Sequence, residues 1–83
     1  MSLKVYGNLI SQPSRAVIWL LRIHDTPFTL VNISAATGAC DEPEYLRKFP
    51  AGIMPAIELG GICLTESHAI LPFLAETYGW GAT

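Results

Sequence analysis

The chain has 83 residues, 51% of them hydrophobic and only 14% charged, and a net charge of −2. That length makes one small domain, burying roughly 60% of the surface its unfolded form exposes. The weak negative charge and the lack of a basic run exclude nucleic acid as an expected partner, and the longest apolar stretch, Ala16 to Leu21, is far too short for a membrane span.

In chain order, Leu3 to Tyr6 reads as a short strand stopped by Gly7-Asn8. Met1 leads straight into it and leaves no room for a signal peptide. Pro13 stands where a helix takes its first-turn proline, with Ser11 as a candidate cap. Ala16, Val17, Trp19, Leu20 and Ile23 then keep helical spacing until His24-Asp25 ends the run. After Pro27, Phe28 to Ile33 alternates like a half-buried strand. Ser34 to Asp41 reads as a small polar loop, and Glu42 to Phe49 as a short helix with Pro43 in its first turn. Pro55 to Leu59 is a third strand, Gly60-Gly61 a hairpin turn, and Ile62 to Leu64 the returning strand. Glu66 to Tyr78 is the last helix, with Ala69, Ile70, Phe73, Leu74 and Tyr78 expected on one face.

The order is strand, helix, strand, short helix, strand, strand, helix. The crossover rule makes the first two strands parallel, and the hairpin makes the last two antiparallel. The expected fold is therefore α/β, a four-stranded mixed sheet with helices on its faces. A small soluble domain ordinarily carries about 25% charged residues. Here apolar side chains are expected to remain outside, and such patches mark contact with another domain or chain.

Two segments carry most of the chemistry. Met54-Pro55 opens the third strand with a proline that cannot donate to a ladder, so it lies on an edge or in a special turn, cis included. Thr65-Glu66-Ser67 starts the last helix, with Thr65 or Ser67 as the expected capping hydroxyl and free N–H groups suited to an anion. Together they suggest a dock for a small peptide. Ser11 lies just before another helix N-terminus, where a thiolate would meet a hydroxyl and a positive dipole end; the plainer reading is that Ser11 only caps the helix. His24 and His68 read as helix-surface residues, since no metal-ligand spacing accompanies them, and no metal is expected. Cys40 and Cys63 are isolated, which suggests neither a staple nor a metal site and fits a reducing cytoplasm.

Ser11-Gln12-Pro13-Ser14-Arg15-Ala16, Asp25-Thr26-Pro27-Phe28, Met54-Pro55-Ala56 and Leu64 to Ile70 carry a resemblance. With the element order, they resemble the thioredoxin-like N-terminal domain of a cytosolic glutathione transferase, the theta class best. The resemblance implies a glutathione-binding domain over residues 1–79, the start of a linker over 80–83, and an all-helical C-terminal domain that is absent here. It implies that Ser11 hydrogen-bonds the glutathione sulfur and lowers its pKa for attack on a small electrophile. It further implies a cis Met54–Pro55 bond presenting the Met54 backbone to the cysteinyl residue as an added strand, with Glu66 and Ser67 holding the γ-glutamyl end. A homodimer or a helical partner domain is expected by the same likeness.

Three positions depart from the theta-like pattern. Ile53 and, approximately, Cys40 stand where a basic or imidazole side chain grips the glycyl carboxylate, and Phe49-Pro50 replaces Asn-Pro. Losing charge-assisted bonds of about 1.5–3 kcal/mol each would weaken glutathione binding. The alternative reading is thus a non-catalytic interaction module of the same fold with a weakened glutathione site. A thiol–disulfide enzyme ranks below both, because serines fill the C-x-x-C positions and the two cysteines are isolated.

Overall fold

The computed structural model describes residues 2–34 and 38–80. Within them β1 (Leu3–Gly7) leads to α1 (Gln12–Ile23) and β2 (Thr29–Asn32). Of the expected loop over residues 34–41, residues 35–37 lie outside the described residues, and a 3₁₀ turn at Ala39–Asp41 precedes α2 (Pro43–Lys48), β3 (Ala56–Leu59), β4 (Ile62–Thr65) and α3 (Ser67–Tyr78). The sheet order is β2-β1-β3-β4. β1 pairs parallel with β2 and antiparallel with β3, and β3 pairs antiparallel with β4. Gly60 and Gly61 both take positive φ, 55° and 86°, as a tight hairpin between twisted strands requires.

Strand alternation divides the side chains between two faces. Leu3, Val5, Ile57 and Leu59 point to one face and meet Ile18 and Leu21 of α1 and Ile70 and Leu74 of α3. Tyr6 and Ala56 point to the other, where Cys40, Tyr45 and Phe49 pack beside α2. In α1, Ser14, Val17, Ile18 and Leu21 keep the 3.6-residue spacing and are buried. Trp19 and Ile23 lie on the opposite side and are 57% and 71% exposed. In α3 only Ile70 and Leu74 of the expected inner face are buried, Phe73 packs partly against them, and Ala69 and Tyr78 are exposed.

Gly7 is the position where a missing side chain matters. A Cβ there would lie 2.6 Å from Ser14 Oγ, so glycine alone lets the first turn of α1 rest on the end of β1. Ser14 Oγ is buried and has no hydrogen-bond partner among the described residues.

The start of α3 differs from expectation. Neither Thr65 nor Ser67 is the cap: Thr65 ends β4, Ser67 is the first helical residue, and Glu66 is the N-cap with φ 73° and ψ 116°. Glu66 makes no side-chain capping bond; its carbonyl accepts the N–H groups of Ala69 (3.0 Å) and Ile70 (2.9 Å). A positive φ at a non-glycine residue costs of order 1–3 kcal/mol and concentrates at ligand sites.

His24 is more than a helix-surface residue. Its ring stacks on Trp80 with centroids 4.4 Å apart and planes 8° from parallel. Trp80 Nε1 donates to Thr26 Oγ1 at 3.3 Å, which ties the chain after α3 to the α1–β2 turn. Of the expected linker over 80–83, residues 81–83 lie outside the described residues.

Candidate functional site

The ladder registers bring three loops to one end of the sheet. Tyr6 pairs with Ala56, and Ala56 with Thr65. The C-terminal end of β1, the N-terminal end of β3 and the C-terminal end of β4 are therefore side by side. The loop holding Ser11 leaves the first, Met54-Pro55 enters the second, and Glu66-Ser67 leaves the third. Strands are spaced about 4.8 Å apart, so the outer two loops stand about 10 Å apart. The N-termini of α1 and α3 open at this same end, each with unpaired backbone N–H groups and a partial positive charge.

Ser11 is the N-cap of α1 by backbone alone. Its φ of −72° and ψ of 126° are extended, and its carbonyl accepts the Arg15 N–H at 2.9 Å. Its hydroxyl makes no capping hydrogen bond. The plain capping role weighed for the side chain does not hold.

The Met54–Pro55 bond is cis, and Pro55 is fully buried. The β1–β3 ladder starts at Ala56, so the Met54 backbone precedes the paired register. Tyr45 of α2 donates its hydroxyl to the Ile53 carbonyl and pins the strand entering this turn. Burial, and after it the neighbouring Cys40, hold the Tyr45 hydroxyl far above its ordinary 10.0, so it remains a donor at neutral pH.

Asn8 is the polar residue that sequence reading treated only as a strand stop. Its Oδ1 accepts the N–H groups of Ile10 (2.9 Å) and Ser11 (2.8 Å). Its Nδ2 donates to the Ile33 carbonyl (2.7 Å) and lies 3.8 Å from Met54 Sδ. An asparagine after a strand and just before a helix cap is an Asx-turn signal, which was available in the sequence.

Cys40 and Ile53, both assigned to the glycyl end, fare differently. Cys40 is 4% exposed and packs with Tyr45 and Phe49, so it belongs to the α2-face core. Ile53 is 36% exposed and offers an apolar side chain there. Phe49, where the theta-like pattern has Asn, is 1% exposed and meets the Tyr6 ring at 5.1 Å and 64°. A cavity of about 290 Å³ opens on this face beside Tyr6, Val31, Ile33 and Tyr45, and none of Ser11, Met54, Glu66 or Ser67 lines it. Among the described residues no group of three side chains is placed to hold a metal, and no helix is long and apolar enough to cross a membrane.

The family model for the glutathione S-transferase N-terminal domain matches residues 1–76. The chain belongs to that family. It is 44% identical over 78 residues to glutathione S-transferase T1 of Arabidopsis thaliana, a match covering 94% of this chain and 32% of the relative. With glutathione S-transferase T3 of the same plant, identity is 41% over 94% of this chain and 13% of that protein. The structure of human glutathione transferase theta-2, in complex with glutathione and an unknown ligand, superposes with a TM-score of 0.89 at 33% identity. That likeness covers 94% of this chain and 32% of the human one. The chain thus spans a third or less of the length of these relatives, and it has the thioredoxin-like glutathione transferase N-terminal fold with theta-class relatives.

Proposed function

We propose that this domain binds glutathione along the three strand ends and that Ser11 activates its thiol, as the glutathione-binding half of a theta-like transferase. The observation that carries this reading is the uncommitted Ser11 hydroxyl, at the same end of the sheet as Met54 and Glu66-Ser67. An extended tripeptide spans about 10 Å, the separation of the outer two loops. The Met54 backbone takes the cysteinyl residue as an added strand, with Pro55 shaping the turn. The free N–H groups and hydroxyl at Ser67 take the γ-glutamyl carboxylate, and the Glu66 carboxylate faces its ammonium.

The chemistry follows from charge. A free thiol has a pKa of about 8.5. A hydroxyl donor and the positive end of α1 both favour its anion. The thiol proton leaves to solvent; the sulfur then bonds an electrophilic carbon while the leaving group departs with its bonding pair. A helical domain after residue 79 would cover the second substrate, and the apolar Trp19 and Ile23 on the outer side of α1 suit such cover. Homodimerisation, expected from the likeness, and a cytoplasmic setting, expected from the isolated cysteines, belong to this reading.

A second reading, the non-catalytic interaction module, is favoured by Ile53 and Cys40, neither of which supplies a cation for the glycyl carboxylate. A backbone amide NMR titration of the full-length protein with reduced glutathione separates the two. Saturable shifts at Ser11, Met54, Glu66 and Ser67, with thiolate absorbance lost in Ser11→Ala, are expected of the transferase half-site. Absence of shifts at millimolar ligand gives the interaction module the lead.

A further inference from the structure

The loop between β1 and α1 is apolar and open to solvent, yet it carries the hydroxyl assigned to the thiol. Leu9 is 44% exposed and Ile10 89% exposed, so burial does not hold the loop in place. Among the described residues, Asn8 is the only side chain that bonds the backbone of residues 9–11. Its orientation is set by its partners, since Oδ1 faces two N–H donors and Nδ2 faces a carbonyl. The same amide group reaches the end of β2 at Ile33 and the side chain of Met54. One side chain therefore touches three segments: the Ser11 loop, the neighbouring strand end and the residue before Pro55.

We infer that Asn8 is a positioning residue for thiol activation, fixing the Ser11 hydroxyl relative to the Met54 backbone. The inference rests on the reading of Ser11 given above. The Ser11 side chain makes no capping bond, so its position follows from its own backbone. That backbone is held downstream by the first turn of α1 and upstream by Asn8. Without Asn8, the exposed Ile10 N–H turns to water, the partly buried Ser11 N–H and Ile33 carbonyl lose their partner, and the hydroxyl loses its upstream anchor. Displacement of a reacting group by about 1 Å costs up to about 100-fold in rate. A purely structural tie would lower stability and leave the acidity of the bound thiol untouched.

The test is the apparent pKa of glutathione bound to the full-length protein, read as ultraviolet thiolate absorbance against pH, with circular dichroism as the check on folding. Asn8→Ala is expected to raise that pKa by about one unit, roughly tenfold less thiolate below it. Asn8→Asp keeps an oxygen acceptor for both N–H groups and is expected to restore the thiolate to within about threefold of wild type. If Asn8→Ala does not fold, Asn8→Ser carries the test, because its shorter oxygen keeps an Asx-like bond but does not span to Ile33; a pKa above that of the wild-type protein is expected. A folded alanine or serine variant with the wild-type pKa overturns the role of Asn8, as does an aspartate form no better than alanine. Ser11→Ala, run alongside, separates the two levels. If it loses the thiolate and Asn8→Ala does not, only the Asn8 inference fails. If Ser11→Ala changes nothing, or the wild-type protein binds no glutathione, the reading of Ser11 fails and takes the role of Asn8 with it.

Discussion

On the face covered by α1 and α3, Val5, Ile18, Ile57 and Leu74 are wholly buried among aliphatic neighbours. On the face covered by α2, Tyr6, Tyr45 and Phe49 meet at ring separations of 5.0–6.0 Å, and Glu58 accepts hydrogen bonds from Tyr6 and Lys48, each at 3.0 Å. The first face is held by non-directional burial, about 1.5–3 kcal/mol per large side chain. The second depends on orientation, with aromatic pairs adding about 0.5–1.5 kcal/mol beyond their area and polar ties joining α2 to the sheet and to the Met54 turn. Its ion pair, Lys48 to Glu58, is 45% and 26% exposed and is screened by solvent. The difference has a functional reading. The aliphatic face seats the helix that carries Ser11, while the α2 face, through Tyr45 and Ile53, steadies the strand that carries Met54.

The largest effects distinguish the faces directly. Ile57→Ala is expected to cost about 2–5 kcal/mol in urea denaturation and to weaken hydrogen-exchange protection in every strand. Phe49→Ala is expected to lose protection mainly in α2 and the Met54 turn. Equal loss in β1 and β3 for the two variants would show the faces to be one cooperative unit. A smaller effect comes from Tyr45→Phe, which removes the donor to the Ile53 carbonyl and keeps the ring. It is expected to cost about 1–3 kcal/mol, and calorimetry should show glutathione binding weakened with it. Stability lost with glutathione affinity unchanged would detach α2 from the site.

The smallest effect is pH dependence. Hydrogen bonds from Lys48 and then Tyr6 hold the Glu58 carboxyl below its ordinary 4.5. Its contribution is present above that value and lost as pH falls through the depressed one. Tyr6, raised above 10.0 by burial and then by its bond to Glu58, behaves oppositely: its contribution is intact below 10.0 and lost as pH rises through the raised value. Thermal melts across acid pH should show Glu58→Gln flattening the loss between about pH 5 and pH 3. An unchanged acid limb would place acid sensitivity elsewhere.

Element order was legible because each segment declares itself over short range: Pro13 at a helix start, alternation over residues 28–33, Gly60-Gly61 at a hairpin. Strand and helix ends moved by about a residue, as ends do where pairing partners decide them. The misses share a cause. The α3 cap fell to Glu66 because its φ of 73° is set by how β4 meets the helix, and a glutamate does not advertise that angle. Cys40 went into a core because Tyr45 and Phe49 fold over it, and His24 found Trp80 from 56 positions away. Asn8 was visible as a turn former, but its reach to Ile33 and Met54 depends on strands brought together from 25 and 46 residues away.

Sequence alone determined the element order, the two apolar patterns and the family likeness, because propensity, periodicity and motif spacing act over a few residues. Tertiary structure decided which loops became neighbours, that the Ser11 hydroxyl stayed out of its own helix cap, and that Asn8 came to bridge the Ser11 loop and Met54. Those outcomes rest on ladder register and close packing, which join residues far apart in the chain and leave no local signature.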